Sequence, residues 1–227
     1  NSNGTYPVGS GTEFSWGFGF QLGAYWEGDD CLNFGASFKS PTWFENFKYH
    51  GVDSGNGAPR NFDLDFTYPL IVSLGTSYTG IEKWLLACDV RYMNWANTPT
   101  LGDTAVFAPN GTLKGLGWQD TWSISLGAQY ELTETVTVRT GYQFNQNPIR
   151  DSVAGFNVAS PLTLQHHINL GGTMKLTDKF SVNAVYYFAP PSSVSGPIQL
   201  PTGPVAGSNV TSQTWAHALS LGMTVQF

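Results

Sequence analysis

The chain has 227 residues, of which 11% are charged and 15% aromatic, with a net charge of −6. That charge content is well below the roughly 25% of an average soluble domain, and the acidic balance leaves no basic footprint for nucleic acid. Mean hydropathy is −0.15, and no run of about 18 uncharged apolar residues occurs from which a transmembrane helix could be made.

Alternation explains this combination: strands with one face toward lipid and the other toward water carry few charges and many aromatics at moderate hydropathy. The chain opens Asn1-Ser2-Asn3-Gly4, without the basic start or apolar core of a leader. Strand one sets Phe14, Trp16, Phe18, Phe20, Leu22, Ala24 and Trp26 against Ser15, Gly17, Gly19, Gln21 and Gly23. A short turn, Glu27 to Asp30, leads into strand two, where Leu32, Phe34, Ala36 and Phe38 oppose Asn33, Gly35, Ser37 and Lys39. Strand three is read as one long element from Phe62 to Tyr78, with Asp63, Asp65, Thr67, Ser73 and Ser77 on its polar face. Strand four sets Trp84, Leu86, Cys88, Val90 and Tyr92 against Lys83, Asp89 and Arg91.

The same period of two recurs from Trp122 to Tyr130, from Val136 to Phe144 and from Leu164 to Met174. It weakens from Phe180 to Phe188, where Val185 and Tyr187 share the polar face, and returns from Trp215 to Phe227. Such alternation marks half-buried strands. Four connections are short (27–30, 79–83, 132–134, 177–179) and four are long (40–60, 96–119, 146–162, 189–213), in strict alternation. Outer-membrane barrels have short periplasmic turns and long extracellular loops. The predicted fold is therefore all-β, an antiparallel transmembrane β-barrel in the bacterial outer membrane. Nine strands is an odd number where single-chain bacterial barrels are even, so residues 1–227 are expected to be the C-terminal portion of one barrel. Cys31 and Cys88 fall on elements separated by an intervening strand and by depth, beyond the roughly 7 Å a disulfide spans.

The strand Trp16-Gly17-Phe18-Gly19-Phe20-Gln21-Leu22-Gly23 is followed by Leu32-Asn33-Phe34-Gly35-Ala36-Ser37-Phe38-Lys39-Ser40-Pro41. Gly117-Trp118-Gln119-Asp120-Thr121-Trp122, Arg139-Thr140-Gly141-Tyr142, Asn147-Pro148-Ile149-Arg150-Asp151 and the terminal Leu221-Gly222-Met223-Thr224-Val225-Gln226-Phe227 come after. Together, in this order, these segments resemble FadL-type outer-membrane transporters of long-chain fatty acids and, in some members, aromatic hydrocarbons. The resemblance implies a fourteen-stranded barrel with an N-terminal hatch, of which the hatch and first five strands are not in this chain. It also implies passive uptake of a hydrophobic compound, with no catalysis and no cofactor.

Pro41-Thr42-Trp43-Phe44-Glu45-Asn46-Phe47-Lys48-Tyr49-His50 holds four aromatics in a predicted external loop. Exposing all four to water is costly. Trp43, Phe44, Phe47 and Tyr49 are candidates for an apolar groove that captures a greasy ligand; the alternative is that they extend the wall or pack within the loop. Among the inward cations Lys39, Lys83, Arg91, Arg139 and Lys175, Arg139, lying mid-strand among Thr137, Gly141 and Gln143, is the best candidate to meet a substrate carboxylate, with Arg91 second. A solvated or internally paired lumen is the alternative. Inward glycines, Gly75 among them, leave room for a plug or ligand to approach the wall; relief of barrel curvature explains glycine in strands equally well. His166 and His167 are consecutive on a strand and point oppositely, so they cannot chelate one metal. No nucleophile–base pair can be placed together. The three glycosylation-type sequons, at Asn3, Asn110 and Asn209, are incidental in a bacterial barrel. Phe227 with Val225, Met223 and Leu221 resembles the signal read by the barrel-assembly machinery, and outer-membrane lipid and lipopolysaccharide are the expected surroundings. Two other readings share these strands: a general diffusion porin, and a soluble β-barrel lipid binder whose aromatic rows converge on a dry centre.

Overall fold

The computed structural model describes residues 7–9, 12, 14–28, 31–53, 57–59, 61–108 and 113–226. Phe227 and the sequons at Asn3 and Asn110 lie outside them. Nine antiparallel strands form a single meandering sheet: β1 (Gln21–Glu27), β2 (Leu32–Lys39), β3 (Ile71–Tyr78), β4 (Trp84–Met93), β5 (Thr121–Glu131), β6 (Val136–Asn145), β7 (His166–Thr177), β8 (Phe180–Gly196) and β9 (Val210–Val225). Each strand pairs with its chain neighbours, and β1 and β9 are the two sheet edges. The sheet is an open arc of a barrel wall. Both cysteines are free.

Period two decides which face each residue takes, and the partition follows the alternation. Leu126 is 52% exposed, and Leu221 and Met223 each 74%, on a face left open by the described residues. The apolar rows do not converge on a common dry centre. Buried apolar side chains among the described residues are Trp95, Trp118, Ile149, Ala154, Ala189 and Val194, all in long connections or in the loop-end part of β8.

Four predicted boundaries are corrected. Strand one is two pieces, Gly17–Phe18 and β1. Strand three is three pieces, Phe62–Leu64, Thr67–Tyr68 and β3. The connection 40–60 is not a loose loop, because Thr42–Phe44, Phe47–Tyr49 and Gly51–Asp53 are strands. Thr42–Phe44 pairs with Thr67–Tyr68, and Phe47–Tyr49 with Phe62–Leu64, so the β2–β3 hairpin runs on well past the sheet. The pairings Lys39↔Ile71 and Thr42↔Tyr68 share one register, which places Pro41 opposite Pro69. Two facing prolines offer no N–H to the ladder, so it breaks there and resumes.

The fourth correction concerns strands eight and nine, which are longer than read. β8 continues to Gly196 and β9 starts at Val210, because a register shift between Ala189 and Ser192 takes Pro190 and Pro191 out of the ladder.

Candidate functional site

Two regions carry the residues that the sequence singles out. The first is the hairpin extension. Phe44 lies with its ring centroid 5.8 Å from Phe47 and 5.9 Å from Phe66, and Phe47 stacks on Tyr49 at 6.5 Å. Tilted and offset rings at these distances are favourable pairs. A Cβ on Gly17 would sit 2.4 Å from the Phe44 ring, so the glycine is what lets the ring lie against the neighbouring strand. The structure thus brings together Phe44, Phe47 and Tyr49 and adds Phe66, which the sequence reading assigned to strand three. It does not bring in Trp43: as the residue next to Phe44 on an extended strand it faces the other way, and it is 49% exposed.

A second run of rings starts on the same hairpin and passes into the long connections. Lys39 Nζ lies 5.0 Å over Tyr68, Tyr68 meets Trp95 edge-on at 5.9 Å, and Trp95 meets Trp118 edge-on at 5.1 Å. Trp118 Nε1 donates to Asn157 Oδ1 at 2.6 Å, and Asn157 Nδ2 donates to the Leu116 and Val153 carbonyls, each at 2.9 Å. One buried amide therefore ties the connection after β4 to the one after β6. Thr163 ties the latter to the β8–β9 hairpin through the Ser192 carbonyl and Thr214. These anchors escaped the sequence reading, because nothing local marks a loop asparagine as buried.

The second region is the polar face of the sheet. Arg139 on β6 donates from Nε to Gln129 Oε1 at 2.7 Å and from Nη1 to Thr173 Oγ1 at 2.6 Å. The row continues from Thr173 to Asn183 at 2.7 Å and from Asn183 to Thr224 at 3.4 Å. Gln129 and Thr173 are both neutral, so these bonds hold the guanidinium in place without cancelling its charge. Arg91 on β4 donates from Nε to Ser73 at 3.3 Å. The two arginines do not form one site. Arg91 pairs with Ser123 and Arg139 with Gln129 on the intervening β5, six residues apart, or about 20 Å along a strand. Arg91 lies toward the long-loop end, and Arg139 is nearer the short-turn end than its predicted mid-strand place.

On β6, β7 and β8, nearer the long-loop end than Arg139, is a polar cluster that the sequence does not signal. Gln143 donates to Asn145 at 2.7 Å, Asn145 Nδ2 lies 2.7 Å from His167 Nε2, and His167 Nδ1 lies 2.6 Å from the Tyr187 hydroxyl. His166 points to the opposite, apolar face, where its Nδ1 meets the Tyr142 hydroxyl at 2.7 Å. Tyr187 is an exception to the apolar–polar alternation, and its place on the polar face completes this chain of hydrogen bonds. Gly75 also has a plainer role than clearance for a plug, since a Cβ there would meet Asp89 Oδ1 at 2.2 Å. The neighbouring carboxylate fills the space.

Comparison with known proteins bears on this geometry. Residues 10–227 match the family described as outer membrane protein transport protein (OMPP1/FadL/TodX). Outer membrane protein P1 of Haemophilus influenzae is 24% identical over 225 residues, covering 94% of this chain and 48% of the relative. The long-chain fatty acid transport protein of Escherichia coli K12 is 22% identical over 149 residues, 59% of this chain and 33% of that protein. The chain thus spans no more than about half the length of these relatives. Among solved structures, the Pseudomonas putida toluene transporter TodX superposes with a TM-score of 0.60 at 19% identity, covering 93% of this chain and 50% of its own. A Pseudomonas aeruginosa FadL homologue gives 0.61 at 15% identity, with 91% and 52% covered.

Proposed function

The chain belongs to the OMPP1/FadL/TodX family of outer membrane transport proteins, and from that premise we propose that it forms part of the wall of a β-barrel for passive uptake of hydrophobic compounds. Further strands between β9 and β1 close the barrel, because bare backbone edges in hydrocarbon cost several kcal/mol per unsatisfied group. The Phe44–Phe47–Tyr49–Phe66 cluster captures the ligand outside the membrane. The ligand then enters a lumen lined by the polar face, where Arg139 meets its carboxylate if it has one. Both long-chain fatty acids and aromatic hydrocarbons fit the capture step, and only the former use the arginine. Neither catalysis nor an energy source is part of this reading.

The observation that carries it is the aromatic cluster held on an ordered extension of the wall beyond the sheet. In the full-length protein, Phe44→Ala with Phe66→Ala should weaken capture of both ligand classes by about tenfold, the equivalent of roughly 1.4 kcal/mol. Arg139→Ala should weaken fatty-acid binding and leave toluene binding unchanged. Fatty-acid affinity preserved in both variants would remove both sites from the pathway.

The polar inner wall also favours a second reading, a water-filled diffusion channel. Planar bilayers separate the two: steady ion conductance and sugar permeation support the channel, whereas conductance-silent hydrophobic uptake supports the transporter.

A further inference from the structure

Three tyrosines on the apolar face repeat one geometry. The Tyr92 hydroxyl donates to Asp120 Oδ2 at 2.7 Å, Tyr142 lies 2.7 Å from His166 Nδ1, and Tyr186 lies 2.5 Å from His217 Nδ1. The cross-strand partners of these tyrosines are Trp122, Ile168 and Leu219. In each case the acceptor stands two residues before the partner, on the same face and toward the long-loop end. Rings close round the two histidines: Phe144 at 5.3 Å from His166, and Phe188 at 4.8 Å and Trp215 at 5.4 Å from His217. A belt of amphipathic rings at one end of the lipid-facing band marks a membrane interface. Since long loops face the cell exterior, this is the interface of the outer leaflet. In the tautomer whose Nδ1 accepts from the phenol, the imidazole carries its own N–H at Nε2, and in that tautomer the belt presents donors to its surroundings.

On the turn side of this belt the apolar wall is dented. The cross-strand row Val138, Gly172, Ala184 and Leu221 contains the two smallest side chains of the region, and the next row is Val136, Met174, Val182 and Met223. Gly172 and Ala184 form the floor of a cleft of about 630 Å³, overwhelmingly apolar and walled by Val138, Met174, Leu221 and Met223. The volume lies within the range of small-molecule sites. Leu221 is four residues from His217 on β9, about 13 Å along the strand, a headgroup-to-midchain separation.

We propose that the outer wall of β7, β8 and β9 holds one acylated, phosphorylated glycolipid of the outer leaflet, with a chain in the Gly172–Ala184 cleft and headgroup oxygens on His166 and His217. The occupant follows from continuity. Most of the residues lining the cleft belong to the apolar rows of the sheet, with Thr137, Thr173 and Asn183 between them, and the two histidines stand on the same face toward the long loops. The transported ligand travels on the other side of the wall, so this site is separate from uptake.

The test uses the full-length protein in nanodiscs holding lipopolysaccharide and phosphatidylethanolamine, with retained lipid counted by native mass spectrometry. Ala184→Phe fills the cleft with bulk that points outward, Ala184→Leu does so more mildly, and His166→Ala with His217→Ala removes the donors. Retained lipopolysaccharide should fall by about threefold or more in each, the scale of one favourable contact inside a bilayer, while Leu126→Phe elsewhere on the same face changes nothing. Uptake of hydrophobic substrate should stay at the parent level, so failure here is distinguishable from failure of the transport reading. Equal retention in all variants, retention of phosphatidylethanolamine alone, or displacement of substrate in place of lipid would each overturn the assignment.

Discussion

Asn157 is 1% exposed, and its whole side chain is committed to three hydrogen bonds, two to the loop after β4 and one within its own. Asn157→Ala leaves the Trp118 N–H and two carbonyls without partners in a dry site, a loss of roughly 2 kcal/mol, or about thirtyfold in the opening equilibrium of the loops. Hydrogen exchange at Leu116 to Trp118 should accelerate accordingly, with the amides of β5 and β6 unaffected. The sequence shows only an asparagine after a short aromatic segment, a pattern equally at home on a wet turn. Trp43 makes the opposite case. Composition grouped it with Phe44 and Phe47, but neighbouring residues on a strand cannot share a face, and Phe66, nineteen positions past Phe47, takes its place beside Phe44.

At the scale of the element, the extended β2–β3 hairpin is a wall segment with a crease. Pro41 faces Pro69, and the paired piece beyond them carries the aromatic cluster. Replacing both prolines by valine restores two N–H donors to the ladder, each worth about 1 kcal/mol. Amides of Thr42 to Phe44 should then exchange about fivefold more slowly or better, and ligand capture should slow as the extension stiffens. Unchanged exchange would show that the crease is held by its side chains, not by the missing donors. The β8–β9 hairpin teaches a related lesson. Pro190-Pro191 reads as a strand end, yet the bulge accommodates both and pairing continues to Gly196 and Val210.

At the scale of the whole molecule, the two faces of the sheet have different neighbours, and that difference can be titrated. Leu126→Arg places a charge near the centre of the apolar band, costing about 2–4 kcal/mol in lipid, whereas Ser125→Arg adds it to the polar face beside Asp89, its cross-strand neighbour's position. Denaturant titration of the full-length protein in lipid vesicles should show the first variant clearly destabilised and the second close to the parent. Equal loss in both would mean that the apolar face does not meet hydrocarbon. The arginines also belong to this scale. Arg91 and Arg139 share a face but stand about 20 Å apart along the wall, too far for one carboxylate to meet both.

Strand order, the alternation of short and long connections, and the identity of the lipid-facing and lumen-facing rows were all determined by the amino-acid sequence. The facing rows follow from a period of two within each strand, and the order from the spacing between successive strands. Tertiary structure alone decided which residues of different strands meet: Pro41 with Pro69, Phe44 with Phe66, Tyr142 with His166, Asn145 with His167. The reason is that a cross-strand neighbour is set by the hydrogen-bond register of the whole ladder, and a shift of one residue changes every partner. Buried loop anchors such as Asn157 add a second reason. Their burial depends on three separate connections folding over the same end of the sheet, a condition that no local pattern encodes.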